Sequence, residues 1–133
     1  MKKATHTKYE TGFTVFPQDT NYMYPMLFGG KLLSEMDMCA ASCVRRALYD
    51  SPCADAVTVK VVETNFWHGA EVKDLIFLKA EIVRFGIKSI EVKITGLVEE
   101  GQGTGERIKL CDGTFIFVSR DKNKKSAPHE LSL

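Results

Sequence analysis

One long helical stretch, in a chain that otherwise alternates like strands, sets what this sequence can fold into. From Gly30 to about Leu48, the residues Leu32, Leu33, Met36, Cys39, Ala40, Cys43, Val44 and Ala47 recur at helical spacing. No Pro interrupts the run, and Gly occurs only at its start. Arg45 and Arg46 suit the negative end of the helix dipole, and Asp50, Ser51 and Pro52 stop the helix. A helix this apolar has to be buried on more than one side, so the rest of the chain must wrap it.

The rest reads as strands. Phe13 and Val15 flank Thr14 in a short first strand, and Val57, Val59 and Val61 alternate with Thr58 and Lys60. A third strand opens with the apolar run Leu75–Leu78 and continues through Ala80 and Ile82. Ile90, Val92 and Ile94 form a fourth, joined to the third by a hairpin at Phe85–Lys88. The last runs from Ile108 to Val118, with Gly113 as a candidate bulge. Between the last two, Glu99–Arg107 is rich in glycine. A dinucleotide fingerprint would have to open a helix, and a strand follows instead, so this reads as a flexible hairpin loop. The order predicts an α+β fold in which an antiparallel five-stranded sheet packs on one helix. Residues 1–120 form the domain and 121–133 a polar tail, expected to pack loosely. One helix leaves a sheet edge uncovered, and an uncovered edge predicts a homo-oligomer.

Length and charge narrow the function. At 133 residues one core is expected, and 44% hydrophobic with 26% charged residues is ordinary for a soluble domain. A formal net charge of +1 argues against a broad nucleic-acid surface but leaves room for a local basic patch facing a phosphate. Met1–Gly12 opens with Lys2 and Lys3 but has no apolar run behind them, and no stretch reaches the roughly 20 apolar residues of a membrane span. A cytoplasmic protein with no membrane partner is expected. Cys39, Cys43, Cys53 and Cys111 do not offer the second close ligand pair that zinc would want, so they read as buried reduced thiols and no metal is expected.

Chemistry concentrates at Leu27–Asp37, LFGGKLLSEMD. Asp37 lies seven residues beyond Gly30, about 10 Å along the axis and on nearly the same face, shared with Leu33 or Ser34, Ala40 and Ala41. Amides at a glycine-led helix start are unpaired and meet a developing negative charge, while a carboxylate on that face can take a proton or attack carbon. The pairing suits cleavage of an activated carbonyl. Glu35 points about 200° away and reads as a surface or interface residue. Ser34 has no base partner for a serine triad.

Five segments carry a family resemblance: PQDTN (Pro17–Asn21), LFGGKLLSEMD, AVTVKVVETNF (Ala56–Phe66), DLIFLKAEIVRFGIKSIEVKI (Asp74–Ile94) and FIFVSRD (Phe115–Asp121). In this order they span nearly the whole chain, which resembles the single-domain bacterial acyl-CoA hydrolases of the hotdog fold. The resemblance implies a curved sheet around a central helix, homodimers pairing edge to edge and assembling further to tetramers or hexamers, and active sites between protomers. It implies that Asp37 is catalytic, that Asn21 serves the site formed with the partner chain, and that the amides at Gly29 and Gly30 polarise the thioester carbonyl. Three departures stand out: Tyr24 replaces a usual glycine, the segment from Asn21 to Phe28 is one residue longer, and Phe66-Trp67-His68-Gly69 and Lys73-Asp74 replace common elements. They point to an acyl pocket reshaped by Tyr22, Met23, Tyr24 and Met26.

The expected activity is hydrolysis of an acyl-CoA thioester to free acid and CoA, with Asp37 as general base or nucleophile. Coenzyme A is part of the substrate, so no cofactor is expected. Phe28, Tyr24 and Ser34 are expected at the substrate, and Arg84, Lys88 and Arg120 are candidates for its phosphates, with tail lysines Lys122, Lys124 and Lys125 beside them. Asn21 also suits a plain turn at Asp19-Thr20-Asn21, and His68 a packing role beside Trp67. The alternative is a hotdog protein that binds acyl-CoA without turnover. A hydratase would usually pair its Asp with a His, and none follows Asp37 on the helix.

Overall fold

The computed structural model describes residues 1–101 and 103–133. Its elements in chain order are β1 (Lys2–Lys3), β2 (Lys8–Thr14), a 3₁₀ turn (Pro17–Asp19), α1 (Gly29–Ala47), a second 3₁₀ turn (Leu48–Asp50), β3 (Asp55–Phe66), β4 (Leu75–Phe85), β5 (Ser89–Glu99), β6 (Arg107–Arg120) and β7 (Leu131–Ser132). The main sheet is antiparallel in the order β2-β4-β5-β6-β3. It wraps α1, which touches all five strands. This is the hotdog architecture that the resemblance implies.

Alternation explains the wrap. Ile76, Leu78, Ala80 and Ile82 of β4, Ile90, Val92 and Ile94 of β5, and Phe115 and Phe117 of β6 are buried, while the residues between them are not. They pack on Leu32, Met36, Cys39, Ala40, Cys43, Val44 and Ala47, the apolar stripe of α1. Cys39 Sγ faces the Leu78 carbonyl (3.8 Å) and Cys43 Sγ the Thr7 carbonyl (3.5 Å). Burial pushes the Cys39 and Cys111 thiols up to about 12 and Cys43 up to about 11, so all three stay protonated and inert at neutral pH. No helix among the described residues is long and apolar enough to cross a membrane.

Two expectations need correction. Gly113 is no bulge: it pairs in register with Ile94, and its missing side chain instead admits Thr64, whose Oγ1 would lie 2.9 Å from an added Cβ. The irregularities fall in β3 at Thr58/Lys60 and at Val62/Asn65, the latter directly across from Gly113, in β4 at Ile82/Arg84, and in β5–β6 at Gly96/Leu97. The C-terminal tail is not loose either. Leu131 and His129 are buried, and β7 pairs in parallel with β1, tying the two chain ends together. Few apolar residues appear in the tail, so a hydropathy pattern cannot reveal this. What fixes it is hydrogen bonding: Leu131 N–H donates to His129 Nδ1 (3.0 Å), and His129 Nε2–H donates to the Ser89 carbonyl (3.0 Å). The loop Glu99–Arg107 does join β5 to β6 as a hairpin, anchored where Gly101 N–H donates to Asp74 Oδ1 (2.9 Å); Gln102 lies outside the described residues.

Candidate active site

The start of α1 is left chemically open. Phe28 is the N-cap and no side chain caps the helix; the first intrahelical donor is Leu32 N–H, to the Phe28 carbonyl (3.1 Å). The amides of Gly29, Gly30 and Lys31 therefore project from the positive end of a 19-residue helix. A Cβ on Gly30 would meet the Phe28 ring at 2.6 Å and force that ring aside, whereas one on Gly29 would come only into ordinary contact with the Phe66 ring at 3.4 Å. Phe28 thus leans over the Gly30 backbone, and Ser34 stands one turn along.

Asp37 is half-buried and lines a cavity of about 380 Å³ with Gly30, Leu33, Ser34, Thr58, Val61 and Phe115. The helical spacing read from the sequence therefore does bring Gly30 and Asp37 to one hole. Thr58 Oγ1–H donates to Asp37 Oδ1 at 2.7 Å. That contact fixes the carboxylate and leaves Oδ2 uncommitted. Thr58 is the functional candidate that sequence reasoning missed. It lies in edge strand β3, just before a register shift, and bulges of this kind commonly re-aim a side chain next to a site. The signal available in the sequence was a threonine among alternating valines on a strand expected to pack against the helix.

Asn21 sits elsewhere. It lines a second cavity of about 410 Å³ on the other side of the helix start, together with Gly29, Tyr24 and Trp67. Its Oδ1 accepts Met23 N–H (3.0 Å) and its own N–H donates to the Met26 carbonyl (2.8 Å), so it also shapes the local turn. One protomer therefore places Asp37 with Gly30 in one cavity and Asn21 with Gly29 in another, and does not bring Asp37 and Asn21 together. His68 borders the second cavity with Nδ1 against the Gly69 carbonyl (2.5 Å). Glu35 is occupied by Lys31 (3.0 Å), away from Asp37.

The basic candidates gather at the end of the sheet where β3 begins and β6 finishes. Arg120 donates twice to Asp55 (both 2.7 Å), three positions along β3 from Thr58 and so about 10 Å away. The Asp55 and Arg120 charges stabilise each other, holding the Asp55 carboxyl below its ordinary range. Lys88 Nζ reaches Ser126 Oγ (3.4 Å), and Arg84 precedes the same β4–β5 turn. The Asp121–Lys125 turn follows Arg120, closed where Asp121 Oδ1 accepts the Asn123 and Lys125 amides (2.8 and 3.1 Å). No cluster of three or more His, Cys, Asp or Glu able to hold a metal occurs among the described residues.

The arrangement can polarise a carbonyl oxygen with helix-start amides and manage a proton with a fixed carboxylate. The sequence model of the thioesterase superfamily matches residues 24–104. An uncharacterized acyl-CoA thioester hydrolase of Haemophilus influenzae is 31% identical over 112 residues, covering 83% of this chain and 70% of that protein. The crystal structure of an acyl-CoA hydrolase from Bacillus cereus superposes with a TM-score of 0.83 at 29% identity, covering 96% of this chain and 74% of that one. A hexameric thioesterase from Yersinia pestis gives 0.79 at 26% identity, covering 90% and 92%.

Proposed function

The chain belongs to the thioesterase superfamily, and from that premise we propose that it hydrolyses acyl-CoA thioesters in the cytoplasm, with Asp37 as general base. The observation that carries the assignment is one hole holding both Gly30, at an uncapped helix start, and Asp37, fixed by Thr58. Water attacks the thioester carbon and its proton passes to Asp37 Oδ2. The carbonyl oxygen gains negative charge against the Gly30 amide and helix dipole. The C–S bond then breaks, and the coenzyme A thiolate leaves and is protonated, while the acyl group departs as the acid. A thiolate needs little help to leave, so oxyanion stabilisation and water activation carry the rate.

A homodimer completes this site. Asn21 reaches Asp37 only from another copy, since within one protomer the two line separate cavities. Edge strand β3 offers Val57, Val59 and Val61 at 36%, 56% and 44% exposure, an apolar edge suited to pairing with its own kind. Further assembly to a hexamer follows the Yersinia relative. Arg120, Lys88 and the Asp121–Lys125 turn supply positive charge for the phosphates of coenzyme A.

The test is thiol release from a panel of acyl-CoAs. Asp37→Asn, which keeps the shape, should cut kcat by roughly 10²–10⁴-fold with fold and oligomer intact. Full activity in that variant removes Asp37 from the mechanism. The engagement of Asn21 in its own turn favours the rival reading, a protein that holds acyl-CoA without turnover; tight binding with no thiol released would establish it.

A further inference from the structure

Residues Asn21–Met26 form a short protruding turn with a fixed base. Asn21 N–H donates to the Met26 carbonyl (2.8 Å), Thr20 bridges Leu27, and Phe28 N–H donates to the Asp19 carbonyl (2.8 Å). Leu27 N–H ties the returning segment to the Ala70 carbonyl (2.7 Å). The tip is Tyr22-Met23-Tyr24-Pro25, and Tyr22 leads it at 96% exposure. Tyr24 lines the cavity beside Asn21, but Tyr22 lines neither that cavity nor the one holding Asp37. A large ring held out on a fixed turn, unused by its own protomer's cavities, marks a surface that something else covers.

The Asp37 cavity lacks a cover of matching character. Leu33, Val61 and Phe115 give it apolar walls, Met38 stands 54% exposed next to Asp37 on α1, and Val57 and Val59 leave the adjoining edge of β3 apolar. A projecting ring and an apolar hollow on one chain complement each other in a two-fold dimer, where each is used twice. Asn21 couples them. If it reaches the partner's Asp37, Tyr22 goes with it, because consecutive Cα atoms lie about 3.8 Å apart. We propose that Tyr22 of each protomer closes the partner's Asp37 cavity and acts there as a positioning residue through its ring. The inference rests on the thioesterase reading and adds to that site a residue from the other chain. A ring over the opening keeps bulk water off the developing oxyanion, so the Gly30 amide acts on it in a lower dielectric.

The experiment compares thiol release from acetyl-, hexanoyl- and decanoyl-CoA by the wild type, Tyr22→Ala and Tyr22→Phe. It adds mixed oligomers with Tyr22→Ala on one chain and Asp37→Asn on the other, purified through a different tag on each. A side chain this exposed is dispensable for the protomer's fold, which circular dichroism verifies. Tyr22→Ala should lower kcat about tenfold, and Tyr22→Phe, which keeps the ring, should retain roughly half or more of it. In a mixed pair one site draws an unaltered Asp37 and an unaltered Tyr22 from different chains. Turnover per Tyr22→Ala chain should therefore exceed that of the all-Tyr22→Ala protein about threefold or more. Were Tyr22 to serve its own chain's Asp37, no site would be intact; a mixed oligomer without that gain overturns the proposal. So does wild-type kcat in Tyr22→Ala, a loss in Tyr22→Phe as deep as in Tyr22→Ala, or a failure of the two variant chains to assemble together. Failure of the thioesterase reading looks different: the wild type would then release no thiol from any of the three.

Discussion

The two ends of α1 are finished in opposite ways. At its start nothing caps the helix, two cavities open on either side, and Tyr22, Phe28 and Trp67 stand 96%, 51% and 59% exposed. At its end polar groups are matched pair by pair. Asp50 accepts the Thr5 amide and hydroxyl (3.0 and 2.7 Å) and approaches Lys2. Ser51 Oγ–H donates to the His129 carbonyl (2.7 Å), and Ser119 Oγ, fully buried, meets the Ala127 carbonyl (2.6 Å). Unpaired amides and exposed rings cost free energy in an isolated protomer, so a fold keeps them only where a ligand or another copy covers them. The closed end supplies the rigidity from which the open end can hold a reactive geometry.

The largest expected effect breaks the closed end. His129 is 0% exposed and bonded at both ring nitrogens, so His129→Ala leaves the Leu131 amide without its partner, takes one of two donors from the Ser89 carbonyl, which keeps the Gly86 amide, and opens a void. We expect a stability loss of about 3 kcal/mol in denaturant unfolding. Turnover per folded molecule should change little, because no site group touches His129. A large fall in kcat with unchanged stability would contradict the division between the ends.

Thr58→Val tests the open side. It removes the donor that fixes Asp37 Oδ1 while keeping the volume. Expected is a fall in kcat of roughly 10–100-fold, about 1.4–2.7 kcal/mol, with Thr58→Ser recovering most of it. Unchanged kcat in Thr58→Val, with Asp37→Asn inactive, would show that the carboxylate needs no fixing.

How much of this was legible in the sequence follows the same division. The helix, its glycine start and Asp37 are local pattern, because 3.6-residue periodicity places Gly30 and Asp37 on one face before any tertiary structure is known. The five main strands are legible by alternation, though β2 begins earlier and β3 runs further than their apolar residues suggest. Thr58 was not legible, since its bond to Asp37 spans 21 positions and depends on where β3 shifts register. Nor was the closed end. It is made of long-range hydrogen bonds between polar residues, Thr5 to Asp50 and His129 to Ser89, and polar pairs leave no periodic trace. The resemblance already assigned Asn21 to a site formed with the partner chain, and the cavities show its separation from Asp37 within one protomer.

Acid should weaken the closed end. The Thr5 amide and hydroxyl, with Lys2 behind them, hold the Asp50 carboxyl below the ordinary carboxylate range, and the Arg120 guanidinium does the same for Asp55. A carboxylate depressed by folding adds stability that is fully present above its unfolded value, about 3.9, and is lost as pH falls through the folded value. Thermal unfolding should therefore weaken below about pH 4, and Asp50→Asn should lower stability at pH 7 while flattening that decline. An identical acid profile in the variant would show that Asp50 contributes nothing to it.

The smallest effect is a gain, and it lies on the open side. Thr64 Oγ1 is buried without a hydrogen-bond partner among the described residues, pressed toward Gly113 beside Met36. It falls in the second register shift of β3, next to Glu63, whose φ of 48° is unusual for a side chain of that size. An unmet hydroxyl in such a place costs about 1–3 kcal/mol of desolvation, and valine has nearly the same shape without it. Thr64→Val should therefore stabilise the protomer by about 1 kcal/mol in denaturant unfolding, a gain that activity alone would not reveal. If the variant is instead destabilised, the hydroxyl is being satisfied in the assembled protein, and the strained stretch of β3 belongs to the surface between copies rather than to the protomer's own economy.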